Sequence, residues 1–513
     1  VKPILMYSKS IIIAIAFFGL SYSYGQETFS SRLLDSKTEE PVAFATIQFN
    51  YKSGVISNDN GEFNITIKRD VTATDSLMIS CLGYEEKRIP LLNFDNSNIY
   101  LKPKTVDLSE VLVTNKNYTI DEILDKIEDG LYTNYDFGYA KRKLFFRASK
   151  YIHMDKRYVD LEESTIPEIN QHFVDSLIQI IPESIDNHTE ILGELYGEIS
   201  RGKPQKMEIL KASRLFDKST EVDLNNYAER LNGILKKHIK RDSYFKIKSG
   251  WFSVKQDIDT TLFDENQEKT VSKPLLAEQN KRDSIQKLNF LPEKKTMIHQ
   301  FENNNFIDED NDLNFIHKSR RYEFEISDYA YIDDMFVYVI TFEPKRREDF
   351  AGTMYVNTED FAVVRVDYNN VESLSDFSLL GISSKKYLKK GTIIFRKNSN
   401  EKYVLKYRDE TLGEQFGIKR PLKIVEKNKN VRGRRKQNEI KAEIHFIGRN
   451  IEKTELVVFE TAVITASDYA NFKEKTLVKP THLSQYDPEF WKGYNIIEPN
   501  KALKDFKVLD TEN

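Results

Sequence analysis

The sequence predicts a mainly β protein with α-helices inserted. It reads as a small sandwich of about seven strands, a helical connector, and a large antiparallel β-sheet or half-barrel toward the C-terminus. Three observations carry this. Runs with an apolar side chain at every second position, separated by Gly, Asn and Asp, recur through Phe29–Pro103 and again from Tyr322 onward. Between these regions, apolar residues recur at helical spacing behind a capping box at Thr119–Glu122. The composition, with Tyr 27 and Phe 32 against Trp 2 and Gly 20, favours strands.

The chain of 513 residues is too long for one ordinary core, so several domains are expected. At the start, Lys2 and Lys9 precede an apolar run from Ile11 to Leu20, and Ser23-Tyr24-Gly25 places small residues before Gln26. That is the pattern of a secretory signal peptide over residues 1–25, too short for a comfortable membrane span, with an uncleaved anchor as the alternative. Export to the periplasm or to an outer-membrane-associated site is the expectation. Cys81, the single cysteine, occupies an apolar strand position and reads as a buried thiol, not a nucleophile.

The first strands follow from alternation. Pro41 to Phe49 puts Ala43, Ala45, Ile47 and Phe49 on one face; Phe63, Ile65 and Ile67 do the same, as do Leu77, Ile79 and Cys81. Gly54–Phe63 reads as two short strands joined by the Asn58-Asp59-Asn60-Gly61 turn, residues that tolerate positive φ. Gly83 breaks the next strand, and Asn98–Leu101 offers one more.

Three motifs in this region, Pro41-Val42-Ala43-Phe44-Ala45-Thr46-Ile47, Ser57-Asn58-Asp59-Asn60-Gly61-Glu62-Phe63 and Asp75–Tyr84, resemble the carboxypeptidase-like regulatory domain of Gram-negative envelope proteins. The resemblance implies an immunoglobulin- or transthyretin-like sandwich acting as an accessory module without catalytic residues. Val106-Asp107-Leu108-Ser109-Glu110-Val111-Leu112-Val113 is similar to the strand that follows this domain in outer-membrane receptors. No plug signature comes after it, so a receptor is not expected.

Thr119 caps a helix whose apolar stripe is Ile120, Ile123, Leu124, Ile127 and Leu131. Lys143–Leu161 alternates weakly and is expected to be a hairpin turning near Asp155-Lys156; helices are expected around Asn170–Ile181, Asn187–Tyr196 and Asp223–Ile239. Phe263–Asp283 is polar and aperiodic, which suggests a linker, and Asn303–Asn314 is a second polar break. From Tyr322, hairpins are expected at Tyr322–Ser327 with Met335–Phe342 and at Gly352–Val356 with Ala362–Val366. Separate strands follow at Tyr387–Arg396, Tyr403–Arg408, Leu422–Lys427, Glu439–Phe446 and Glu455–Phe459. Phe350, Gly352, Tyr355, Val356, Asp360, Phe361 and Ala362 give this part a similarity to the lipoprotein-carrier half-barrel. The expected division is 1–25 signal peptide, 26–104 sandwich, 105–260 mixed α/β connector, 261–318 polar linker with a short helix, 319–480 β meander or half-barrel, and 481–513 tail. The tail's Tyr486, Phe490, Trp491 and Tyr494 are expected to dock it onto a sheet.

Chemistry is sparse. The eight histidines show no helical zinc spacing, and neither a nucleophile elbow nor a phosphate-binding loop occurs. No catalytic residue, cofactor or metal is assigned. Asp308, Asp310 and Asp312 have the spacing of a calcium loop, but Leu313 and Ser319 stand where glycine and glutamate would be required, so a solvated acidic loop is the simpler reading. Glu162, Glu163 and Asp360 would have to converge to make an enzyme, and adjacent strand residues point to opposite faces. A net charge of −4 from 76 basic and 80 acidic residues gives no field favouring nucleic acid. Arg432, Arg434, Arg435 and Lys436 form a basic tip between two strands, read as a solvated turn or as a contact to an anionic membrane surface. The functional expectation is a non-enzymatic envelope binding or scaffold protein whose partner is a protein, glycan or lipid. The alternatives are a lipid or lipoprotein carrier using a concave half-barrel, and a peptidase-associated accessory protein.

Overall fold

A computed structural model describes residues 26–50, 54–92, 94–104, 118–240, 242–257, 272–332, 335–430, 432–433 and 435–508. The expected signal peptide and the Val106–Val113 strand lie outside these residues. The chain is mainly β and forms two compact units, one of Val1–Thr105, Tyr331–Asp333 and Asp487–Asn500, the other of the remainder.

The first unit has strands β1 (Glu27–Asp35), β2 (Thr46–Phe49), β3 (Gly54–Ile56), β4 (Glu62–Ile67), β5 (Ser76–Ser80), β6 (Lys87–Pro90) and β7 (Ile99–Leu101). They form a three-stranded sheet, β4-β1-β7, and a four-stranded one, β3-β2-β5-β6. Leu33 and Leu101 from the first sheet and Ile47, Leu77 and Ile79 from the second are fully buried, giving the two-sheet core that the alternation predicts. One detail differs. β3 and β4 do not pair as a hairpin; the turn between them crosses from one sheet to the other. The crossing is held by side chains: Ser57 Oγ donates to Val42 O (3.0 Å) and accepts from Ala45 N (2.9 Å), and Asn58 Oδ1 accepts from the amides of Asn60 and Glu62. Gly61 sits at φ +74°, and a Cβ there would lie 2.4 Å from Leu33 O.

The tail residues Asp487–Asn500 belong to this unit. Trp491, Ile496 and Ile497 are buried, and Asn495 Oδ1 accepts from Thr66 N (2.8 Å) on the edge strand β4. Asn58 Nδ2 donates to Glu498 O and Pro499 O, each at 3.4 Å.

In the second unit the capping box forms as expected on α1 (Ile120–Gly130). Next come β8 (Tyr139–Ser164), α2 (Gln171–Ile180), β9 (Ser184–Glu198), β10 (Lys206–Leu215), α3 (Ser219–His238), β11 (Ser243–Ser249), β12 (Phe252–Asp257) and α4 (Ser272–Asn303). Then follow β13 (Tyr322–Ile332), β14 (Met335–Pro344), β15 (Phe350–Asn357), β16 (Val363–Asn370), β17 (Ser375–Leu379), β18 (Ile382–Lys397), β19 (Tyr403–Asn428), β20 (Lys436–Val463), α5 (Ala466–Asn471), β21 (Thr481–Leu483) and α6 (Lys501–Lys504). The strands make one 14-stranded, mostly antiparallel sheet with the path β13-β14-β15-β16-β18-β19-β20-β8-β9-β10-β21; β17 pairs with β18, β11 with β19, and β12 with β11.

Several expectations are corrected by this sheet. Lys143–Leu161 is not a hairpin but part of the continuous 26-residue β8. Opposite Ile447 and Gly448 the register jumps from Lys156 to Met154, so Asp155 is a bulge residue, and its carboxylate takes Arg449 Nε (2.9 Å) and NH2 (2.6 Å). Asn187–Tyr196 is strand β9, not a helix. It lies between β8 and β10 with both faces buried, which gives a run of apolar residues that mimics a helical stripe. Tyr403–Arg408 and Leu422–Lys427 are one strand, as are Glu439–Phe446 and Glu455–Phe459. Pro421 does not break β19 because it falls in the gap between Ile418, the last residue paired with β18, and Lys423, the first paired with β11. Residues expected to be a connector therefore supply β8–β12 to the same sheet as the C-terminal strands. Part of the expected polar linker is helical from Ser272. The β15–β16 hairpin forms as expected, with Gly352 opposite Tyr368 and Val356 opposite Val363.

Candidate functional site

The sheet's neighbours decide where a ligand could sit. Arg142 and Phe146 of β8 face α4: the Phe146 and Phe301 rings meet edge to face at 6.3 Å, and Phe290, Leu291 and Ile298 are buried. Two buried arginines lie under the same helix. Arg142 NH1 donates to Glu302 Oε2 (2.8 Å) and NH2 to Gln205 Oε1, while Arg408 donates to the Phe301 carbonyl (2.7 Å), to the Asn304 carbonyl, and to Glu410 (3.1 Å). Glu410 also accepts from Tyr368 OH at 2.8 Å. On the opposite face Arg147 meets Glu190 (2.8 Å) and Glu455 (3.5 Å), and the His188 ring stacks edge-on with Phe506 at 5.5 Å. Both faces of the sheet's middle are thus filled, by chain and by paired charges.

A cleft of about 560 Å³ opens where α4 ends. Tyr132, Tyr135, Phe137, Ile199, Phe395 and Leu405 supply apolar walls; Glu302, Asn303, Asp136, Arg201, Asp308 and Asp310 supply polar groups. α1 and the turn after it place Tyr132–Phe137. The Asn303–Asp310 segment is wound by its own side chains, with Asn305 Oδ1 accepting from Ile307 N and Asp308 Oδ1 from Asp310 N. The acids are mostly engaged. Asp308 pairs with Arg201, and Asp136 accepts from Asn398 Nδ2 (2.6 Å) and Gly138 N (2.8 Å). Burial pushes the Glu302 carboxyl up, but Arg142 and His299 outweigh it and hold the group below the usual carboxylate range. Glu302 is therefore a fixed negative charge, not a proton donor near neutral pH. His299 Nε2 is buried with no hydrogen-bond partner. Among the described residues no three of His, Cys, Asp and Glu gather to hold a metal.

The residues singled out from sequence fall elsewhere. Arg432 and Arg435 are exposed at the β19–β20 turn, Arg434 lies outside the described residues, and Lys436 is tied to Glu439 at 2.6 Å. Lys436, Lys423 and Lys441 together surround Glu439 and pull its carboxyl down to about 2. This turn and the cleft are at opposite ends of β19. Glu163 pairs with Lys441, Glu162 is exposed, and Asp360 takes Tyr403 OH (3.0 Å) and Lys397 (3.1 Å), so these carboxylates make no acid/base pair. In the acidic loop, Asp308 goes to Arg201 and Asp312 to Lys389 (3.2 Å). The cleft itself was not foreseen. Its members come from segments whose pairings, such as Arg142 with Glu302, leave no local trace.

No curated protein sequence matches this chain. Among solved structures there is distant similarity to a LolA superfamily protein from Nitrosomonas europaea, at 8% identity, 69% of this chain, 98% of that chain and a TM-score of 0.16. Similarity to a chain of the Pseudomonas aeruginosa MucA/MucB complex is at 6% identity, 64% of this chain, 92% of that chain and a TM-score of 0.14. Overlaps at that level carry no functional assignment. The sequence match is narrower and firmer: residues 30–113, which span the sandwich, carry a CarboxypepD_reg-like domain.

Proposed function

We propose that this is a non-enzymatic cell-envelope binding protein. The regulatory-like sandwich acts as an accessory module, and the second unit holds its ligand in the cleft beside α4. The reading is carried by one observation: the middle of the large sheet is filled on both faces, while a cleft beside the end of α4 is lined by aromatic walls and by carboxylates most of which are held by partners. Four acids against Arg201 favour a peptide or glycan segment that offers hydrogen-bond donors and an apolar body. The leader-like pattern before Gln26 supports export. A lipid carrier would need a roomy apolar cavity. The strongly apolar pocket under α3, lined by Leu231, Leu235, Ile247 and Ile424, has about 200 Å³, below the usual range for ligand sites.

The test is a photo-crosslinking side chain at Tyr132, in the cleft wall, used in the native envelope. A peptide or glycan adduct at Tyr132, absent when the same group is placed at exposed Tyr158, is the expected result. A phospholipid adduct, or turnover of peptide or glycan by the purified chain, contradicts the reading.

A further inference from the structure

Two hairpins end side by side against β19. The β17–β18 hairpin closes at Leu380 and Gly381, with φ +50° and +77°, and its last pair on β19 is Ile382 with Ile418. The β11–β12 hairpin closes at Gly250 and Trp251, and its pairing with β19 starts at Lys423. Between them sits buried Arg420. Its Nε donates to Ser249 Oγ (2.7 Å), NH2 to Ser249 O (2.6 Å) and NH1 to Leu380 O (2.8 Å), and its guanidinium lies 5.2 Å from the Phe252 ring. One cation thus fixes both tips in place.

What the tips present is unusual for a surface surrounded by water. Trp251 is 96% exposed, and Phe252, Val254, Phe377, Leu379, Leu380 and Ile382 are all exposed around it. Behind the apolar tips stand cations. Lys248 and Lys419 have no side-chain partner among the described residues, and Asp376 on the β17–β18 hairpin is neutralised by Lys385 at 3.0 Å. Tryptophan and phenylalanine at the end of a projection, with lysines set back from them, match the layering of a membrane surface, where rings sit at headgroup depth and cations meet anionic phosphates.

We propose that the paired tips of β11–β12 and β17–β18 dock the protein on an anionic phospholipid bilayer, with Trp251, Phe252, Leu379 and Leu380 entering the headgroup region and Lys248 and Lys419 contacting phosphate. The contact is peripheral and reversible. It is independent of what the cleft binds, and it is separate from the basic turn at Arg432–Lys436, which lies at the far end of β11's pairing with β19.

The chain has two tryptophans, and Trp491 is 4% exposed, so a change in emission on docking reports Trp251. The experiment mixes the full chain with vesicles of phosphatidylethanolamine and phosphatidylglycerol, and separately with phosphatidylcholine vesicles. The proposal expects a blue shift and quenching by brominated acyl chains with the anionic vesicles. Affinity should fall about tenfold or more in Trp251→Ser/Leu380→Ser, and Lys248→Gln/Lys419→Gln should weaken binding and its salt sensitivity. Because the tips are exposed, these variants should keep the wild-type circular dichroism spectrum. Four results would each overturn it: no binding to anionic vesicles; binding unchanged in the tip variant; loss only in Arg432→Ala/Arg435→Ala; or a vesicle-free oligomer that the tip variant dissociates, which would make the tips a contact between copies of the chain.

Discussion

Replacing Arg142 by methionine tests the filled-sheet account at its most loaded point. Arg142 is 1% exposed and Glu302 3%, with their charged atoms 2.8 Å apart. Arg142→Met keeps much of the volume but removes the cation and both its hydrogen bonds, leaving Glu302 buried with the His299 ring 3.8 Å away. Losing one partner of a buried pair costs about 3–5 kcal/mol, whereas losing both together costs far less. Urea unfolding followed by far-UV circular dichroism, a signal dominated by the large sheet, should therefore show Arg142→Met about 3–5 kcal/mol less stable at pH 7.5. Arg142→Met/Glu302→Leu should recover most of that loss. The pH dependence adds a second check. Without Arg142 the Glu302 carboxyl binds a proton more readily folded than unfolded, so the deficit should shrink as pH falls toward the ordinary carboxylate range. A single-variant cost below about 1 kcal/mol, or a double variant no better than the single, would refute the claim that this pair is buried and mutually dependent.

Three further outcomes are expected. Burial and Arg147 hold the His188 imidazole down to about 4 from 6.5, so the unfolded chain binds its proton first and up to about 3 kcal/mol of stability is lost as pH falls from 6.5 to 4. Glu168 and Glu439, held near 2 by their cations, lose their contribution only below about 4.5; a slope between pH 6.5 and 4.5 that persists in His188→Gln would count against this. Gly61→Ala forces a side chain into φ +74° against the Leu33 carbonyl and should destabilise the first unit by about 2–4 kcal/mol, read from Trp491 emission in a Trp251→Phe background. A loss within experimental error would mean that the turn relaxes. Arg420→Ala removes three hydrogen bonds, and amide exchange should accelerate at Ser249–Phe252 and at Leu379–Ile382 while α1 is unaffected; unchanged exchange at both tips would show that Arg420 does not hold them.

Local chemistry was legible wherever it decided the structure. Thr119 and Glu122 announced α1, and the Asn357–Ala362 turn announced β15–β16, because capping and turn preferences act within a few residues. The sandwich was legible for the same reason. What could not be read was how far a strand continues. Asp155 looks like a turn until it is seen as a bulge whose carboxylate takes Arg449, and Pro421 looks like a break until the gap between two partner strands is known. β9 shows the related failure: a strand buried on both faces loses the alternation that marks strands. The cleft was hidden for a further reason. Its fixed charges pair residues far apart in sequence, Arg201 with Asp308 and Arg142 with Glu302, and nothing in either segment alone points to the other. The tail was expected to dock by its aromatics, and Trp491 is buried in the first unit with Lys68 over the Tyr494 ring; what the sequence does not show is the amide contact of Asn495 with Thr66 that adds to them.

Native mass spectrometry of the chain taken intact from the cells that express it bears most directly on whether this molecule grips a ligand beside a filled sheet. A protein released free of lipid, or carrying a peptide or glycan that the Tyr132→Ala variant no longer retains, is the predicted result. A stoichiometric phospholipid or lipoprotein acyl group that survives delipidating detergent would contradict it.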